Sequence, residues 1–465
     1  MTGSTKALPF VNPLRLGIFG PAIIILALGQ ATGELIHWPY LVIKYGLFFL
    51  FLLLPACLIQ YPIFGFLARH TLLSGESHFS ILSKINKLYA VIVWAVFILT
   101  SIWIASYTAS AGIAVAKFYE VMSGTAVDLG KVGSYFALII NTAFFLILLF
   151  KRNTYRFISR FMEIIAATSA VVISILFAWT VSNHGIDIQF VSALVEFKFN
   201  WPATWDSVDT KIIITAFVFA GLGGLWNVLY SVWLRQEGMG MASYNKSEFV
   251  EHQEEIVVVS QDEESRHNYQ KSMNILKRDL WIGIAGNTLM IIMIAYMAYA
   301  SFPKNTVAPS GVGIITSLGD AVSYDSMAIA TVFYIFIGLF LMDTWVAAAD
   351  TLSKLHANMI LGLSNRERDK STSIETKAKL FYVASLVLML VMTFVSSFVA
   401  QPQQLNYLNG ILSMFGSLLL IIGLFIVEGY YREKLVEYPK HKFMYGMLIL
   451  AFIVYFALCV AFMAI

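Results

Sequence analysis

The chain has 465 residues, of which 58% are apolar, 15% aromatic and only 13% charged, against roughly 45–50% apolar and about 25% charged in soluble domains. With a mean hydropathy of +0.74, this composition excludes an ordinary soluble globular protein. Its 31 basic and 28 acidic residues leave a net charge of +3, too little over such a length to indicate a nucleic-acid partner. Cys57 and Cys459 stand far apart in apolar runs, so neither a disulfide scaffold nor a zinc site is indicated. Met1 to Arg15 is short, polar and proline-punctuated, without the basic stretch, apolar core and cleavage site of a signal peptide. The first apolar run is therefore expected to remain as a membrane span.

A bilayer core takes about 20 mostly apolar residues per helix. Runs of that length predict eleven spans, at 16–46, 47–69, 88–116, 133–150, 157–182, 211–235, 279–302, 325–352, 378–400, 404–427 and 443–465. Span 1 is interrupted: the run Ile23 to Leu28 gives way to Gly29-Gln30-Ala31-Thr32-Gly33-Glu34 before helix resumes through Leu35, Ile36 and Trp38. This sets the Glu34 carboxylate near mid-membrane. His37, one turn later, is either a proton carrier or a hydrogen-bonded structural histidine. After span 2, His70, Glu76 and His78 are of metal-ligating type, but a capped helix start explains Ser74 and Glu76 more simply. Glu163, near the start of span 5, is expected to be solvated or paired with Arg160.

Span 6 breaks as span 1 does. After Thr215 to Ala220 the chain reads Gly221-Leu222-Gly223-Gly224-Leu225-Trp226-Asn227, and each glycine costs about 1 kcal/mol in a helix relative to alanine, which predicts local unwinding. The connection from Gln236 to Arg278 mixes acids such as Glu248, Glu251 and Asp262 with basic residues, and is expected to be a solvated segment. Its apolar patch, Ile256 to Val259, carries no assigned role. Span 8 buries Asp343 in a mostly apolar stretch, whereas Asp350, two turns later, is expected to be solvated or paired with Lys354.

Lys and Arg divide 25 to six between alternate connections. By the positive-inside rule the richer set is cytoplasmic, which places the N-terminus inside and the C-terminus outside a plasma membrane. Spans 1 to 5 (16–182) and 6 to 10 (211–427) form two halves of five helices, so the second is inverted relative to the first, and 443–465 is an additional helix. Both breaks fall in the first helix of their half. Paired interrupted helices point to a midplane substrate site in an inverted-repeat transporter. Close packing of Gly29 with Gly33 would account for glycines, but not for Glu34; an acid at a helix centre costs at least ~2.5 kcal/mol and is functional by default.

Gly20-Pro21-Ala22, then Thr32-Gly33-Glu34, then Tyr45-Gly46 resemble the opening of the Nramp divalent-metal transporters, which read Gly-Pro-Gly, Asp-Pro-Gly-Asn and Phe-Gly. Leu73-Ser74-Gly75-Glu76 is similar to that family's Thr-Gly-Lys-Asp turn, and Asn227 lies where the family has Met-Pro-His-Asn. The similarity covers nearly the whole chain in topology. It implies an all-α membrane protein with the LeuT-like 5+5 fold, working by alternating access around a midplane cation site. The departures imply a divergent branch with a rebuilt site. The family's metal-binding Asp falls on Ala31, its Pro on Thr32 and its binding Asn on Glu34. In span 6 the thioether ligand falls on Gly224 and the neighbouring His on Trp226. The acids that move protons fall near Tyr107 and Ser110, and a Gln falls on Asp343.

Without a thioether, the implied ligand set is oxygen-rich: Glu34, Asp343, the Asn227 amide, the Thr32 hydroxyl and freed carbonyls near Ala31 and Gly224. Such ligands suit magnesium, calcium or manganese rather than softer ions. The expectation is a transporter of a hard divalent cation such as magnesium or manganese, carried as substrate and not as cofactor. Proton coupling is expected to be weak, absent or rerouted through Glu34 and His37. The alternative keeps the fold and changes the cargo to an amino acid or organic cation, with Trp38, Trp226 and Trp233 offering cation–π contacts unless they pack or sit at the interface. No HExxH pair, Gly-x-Ser-x-Gly elbow or phosphate loop appears, so no enzyme is expected. The expected partners are the small cargo ion and the lipid bilayer, with no nucleic acid; the oligomeric state is not legible.

Overall fold

Among the described residues of this computed structural model, nine helices are long and apolar enough to cross a membrane. They are Leu50–Ser74, Lys87–Ile102 continued by Ala105–Ser123, Leu129–Phe150, Thr154–His184, Glu263–Ser301, Met327–Leu363, Ile374–Val395, Gln404–Lys434 and Lys442–Met463. They are spans 2 to 5 and 7 to 11; spans 1 and 6 complete the eleven as interrupted helices. The structure describes residues 6–10, 21–29, 33–102, 104–151, 153–198, 201–245, 247–251, 259–303, 306–311, 313–363, 373–399 and 402–463. Among these, the extended pairing is a single isolated bridge between Lys6 and Val259.

Span 1 consists of the helix Ala22–Leu28, a π-helical turn Gly33–His37 and the helix Trp38–Tyr45. Pro39 is tolerated there because the first turn of a helix does not need its N–H. Span 6 consists of Thr210–Val218, a 3-10 turn Gly224–Val228 and Leu229–Gln236. Between its halves, Gly221, Gly223 and Gly224 take φ of 110°, 76° and 63°, a path open at low cost only to glycine. The clustered glycines therefore unwind the helix.

Burial sorts the bundle. The most apolar window of span 2 is 72% buried, whereas those of spans 4 and 11 are 22% buried and that of span 9 is 28%. The latter three form the lipid-facing margin, with side chains such as Phe150, Leu388 and Phe443 turned outward. Span 10 packs on the first helix and the 3-10 turn of span 6, span 7 on the first part of span 1, and span 8 along span 3. The two breaks thus meet at the centre.

Three expectations are corrected. Span 7 starts at Glu263 and not near 279: Asp262 Oδ1 accepts the Ser265 N–H at 2.6 Å, and Ser265, Tyr269, Ser272, Met273 and Leu276 form a buried face at helical spacing. Charges between those positions hide the helix from a search for apolar runs. The start of the long connection is docked and not solvated, because Glu251 is buried and Arg235 holds the carbonyls of Ser247 and Val250 at 2.8 and 2.7 Å. No capping box forms after span 2: Ser77 takes the cap position of the helix His78–Ile85, but its hydroxyl donates to Glu251. Asp350 is wholly buried and paired, with Lys354 Nζ at 2.8 Å and the Tyr382 hydroxyl at 2.9 Å.

Candidate functional site

Unwinding a helix frees backbone donors, and a side chain from the other break uses one of them. Glu34 lies in the π-helical turn of span 1, is 1% exposed, and its Oε1 accepts the Gly221 N–H at 3.2 Å. Beside it is a cavity with room for about one water molecule, lined by Glu34, Gly221, Tyr107, Trp226, Thr344 and three apolar side chains. The Tyr107 and Trp226 rings meet edge to face, with centroids 5.9 Å apart. Among the described residues Glu34 has no ion pair. A carboxylate so placed, without a cationic partner among the described residues, attracts a cation.

The other expected residues are distributed more widely. The Asn227 Nδ2 donates to Gln60 Oε1, and Gln60 Nε2 donates to the Tyr455 hydroxyl at 3.0 Å. This chain of hydrogen bonds ties span 6 to spans 2 and 11 and engages the amide nitrogen, and Asn227 is not among the residues that line the Glu34 cavity. Gly224 lies against span 10, where a Cβ would stand 2.5 Å from the Ser413 Cβ. Asp343 is wholly buried; its Oδ1 accepts from the Thr344 hydroxyl at 3.2 Å, and its Oδ2 has no partner among the described residues. Thr344 lines the cavity, and Asp343 does not. His37 is buried with its Nε2 3.3 Å from Asn406 Nδ2 and its ring 5.5 Å from that of Tyr407. Ala31 and Thr32 lie outside the described residues. Among the described residues, no three His, Cys, Asp or Glu side chains converge to hold a metal.

A second small cavity, which Gly221 also lines, is lined in part by Cys57, Gln60 and Asn287. Sequence reading passed over Gln60 and Asn287. Their signal is present all the same, since each is an amide set within an apolar run of a span.

Charged side chains close the bundle at both ends. At the end where the Lys- and Arg-rich connections gather, here the basic end, Glu248 Oε1 accepts from Lys354 Nζ at 2.9 Å and from Thr154 Oγ1 at 2.7 Å. Burial alone would raise the Glu248 carboxyl, but the Lys354 ammonium outweighs it and holds the group below the usual carboxylate range. At the opposite end, Asp209 Oδ2 accepts from Lys44 Nζ at 2.6 Å and from the Tyr45 hydroxyl at 2.7 Å.

No family model matches this sequence, and no curated protein matches it in sequence. Solved structures do resemble it. The manganese transporter of Eremococcus coleocola superposes with a TM-score of 0.64 at 14% identity, over 99% of this chain and 89% of that one. MhsT, solved in complex with L-phenylalanine, gives 0.61 at 14% identity over 94% and 98%. A nucleobase-cation-symport-1 family transporter in a closed conformation gives 0.53 at 12% identity over 91% and 80%. The fold is that of the LeuT-like transporters. Within that fold the breaks in spans 1 and 6 lie against each other, with the cavity beside Glu34 lined from both of them.

Proposed function

We propose that this chain is a transporter, not an enzyme, that carries a small cation across the membrane by alternating access. The cargo binds at Glu34, and the observation that carries this reading is the carboxylate itself: buried at mid-span, bonded to the opposite break, and without a cationic partner among the described residues. A buried carboxylate is costly unless neutralised, so an arriving cation makes the closed, occluded arrangement cheaper to reach. The cargo thereby assists its own passage. In this reading the Lys- and Arg-rich end is cytoplasmic, with the N-terminus inside and the C-terminus outside a plasma membrane.

A hard divalent ion such as magnesium or manganese is the first cargo to test. The Glu34 carboxylate and the Tyr107 and Thr344 hydroxyls offer oxygen, the cavity lining has no thioether, and one similar structure is a manganese transporter. Thr32, Asn227, Asp343 and the carbonyls near Ala31 and Gly224 would complete the shell in a cargo-bound arrangement. The second reading is a small organic ammonium or amino acid, which the aromatic faces of Tyr107 and Trp226 favour.

Uptake into proteoliposomes tests both. Saturable magnesium or manganese uptake that Glu34→Gln abolishes, with the variant still folded, supports the first. Amine uptake competed by organic cations and weakened by Trp226→Leu supports the second. Unchanged uptake in folded Glu34→Gln protein removes Glu34 from the site.

A further inference from the structure

At the basic end lies a buried cluster that the cargo site does not use. His70 in span 2 and His78 in the short helix that follows are both fully buried, their rings stacked with centroids 5.9 Å apart and planes 17° apart. His70 Nε2 stands 3.4 Å from Glu428 Oε2, a carboxylate of span 10 that is itself buried. Glu428 is held on two further sides, by Arg69 Nε at 2.9 Å and Arg432 Nε at 3.1 Å. Arg69 also donates to the Tyr269 hydroxyl of span 7, which lies 2.8 Å from His441 Nε2, and Lys277 Nζ lies 3.5 Å from His441 Nδ1. On the remaining side Glu76 pairs with Lys84, and the Tyr431 ring faces His70 at 5.8 Å.

The arrangement is expensive as mere packing. Neither nitrogen of His78, nor Nδ1 of His70, has a hydrogen-bond partner among the described residues, and each such orphan costs stability that an apolar side chain of similar volume would not. Span 10 even yields room for it, since a Cβ on Gly423 would come within 3.1 Å of His78 Nε2. No three ligating side chains converge for a metal among the described residues. What the His78 imidazole, and the unpartnered Nδ1 of His70, can bind is a proton.

We propose that His70 and His78 form a proton-binding site whose occupation opens the basic end of the bundle. In the closed packing the site resists charge: Arg69 and Arg432 already outnumber Glu428, and two imidazolium rings at stacking distance would repel. Burial, and then the neighbouring His70, hold the His78 imidazole well below its ordinary range. Once spans 2 and 10 separate and water enters, a hydrated imidazole titrates near its usual value of about 6.5. A group that binds its proton more weakly closed than open shifts the population toward open as pH falls. The transition therefore lies between about pH 7 and pH 5. It places the pH response on this pair and not on His37, and it rests on the alternating-access reading only in requiring that this end opens.

The test is backbone hydrogen exchange on the full chain in lipid nanodiscs without cargo, at pH 7.5 and 5.5, corrected for intrinsic exchange. In the wild type, peptides covering 66–82 and 424–436 should exchange at least tenfold faster at the lower pH. His70→Gln and His78→Gln should each remove that dependence, and His441→Gln should keep it. Protection independent of pH in the wild type overturns the proposal and needs no variant. So does a response that survives both substitutions, or one that only His441→Gln removes. Cargo uptake does not enter the measurement, so its failure and the failure of the Glu34 reading are separable.

Discussion

Gln60 does more than fill span 2: it receives a hydrogen bond from Asn227 and gives one to Tyr455, so a single amide joins three spans. Gln60→Leu keeps the volume but strands the Asn227 amide nitrogen in a dry interior, where an unmet polar group costs about 1–3 kcal/mol. The variant should unfold at lower temperature in detergent, and an unchanged midpoint would mean that Asn227 finds another partner. The same residues show what a sequence can and cannot disclose. The burial of Glu34 at the break in span 1 is legible, because the acid stands in an apolar run. The orientation of Asp343 is not: one residue along a helix rotates the side chain by about 100°, and that step decides whether Thr344 or Asp343 reaches the cavity. Only the packing of span 8 against span 3 sets it. Asn227 is similar, since its partner Gln60 lies on another span and nothing local announces the pair.

The breaks and the apolar spans are legible in the sequence and the extension of span 7 back to Glu263 is not, for one physical reason. Glycines with positive φ concentrate in a short stretch and mark a break directly, whereas the first turns of span 7 carry charge on one face and a buried stripe on the other, so hydrophobic content conceals what periodicity would reveal. The break in span 6 gives a sharp expectation. Gly224→Ala must hold φ near 63°, at about 1–2 kcal/mol for a non-glycine residue, and must also displace Ser413 on span 10. Thermal stability and uptake should both fall. Adding Ser413→Gly removes the nearest atom, the Ser413 Cβ, but leaves the backbone carbonyl oxygen of that position 2.9 Å from the new Cβ together with the strain at positive φ, so recovery should be partial. Complete recovery would assign the whole effect to packing between spans 6 and 10.

The whole molecule is closed at its basic end by a connection that reaches across several elements: Glu248 binds Lys354 of span 8 and Thr154 of span 5, while the Glu251 carboxylate accepts from Ser77 and its backbone N–H donates to Asn358 Oδ1. Opening that end requires these bonds to part. Because the docked Glu248 carboxyl lies below its ordinary value, its contribution is present above about pH 4.3 and is lost only as pH falls through the docked value. This lock is therefore silent between about pH 5 and 8, the range in which the His70 and His78 pair responds. Glu248→Gln removes a charge-assisted bond of about 1.5–3 kcal/mol, while Lys354 retains Asp350 at 2.8 Å and so is not left unpaired. Exchange of the 244–251 backbone should rise roughly ten- to a hundredfold by the same factor at pH 5.5 and 7.5. It should depend little on salt, because Lys354 is 1% exposed and buried pairs are poorly screened. Unchanged protection would mean that the connection is held by Arg235 and Glu251 alone. A rise confined to low pH would mean instead that the lock and the imidazole pair act as one device.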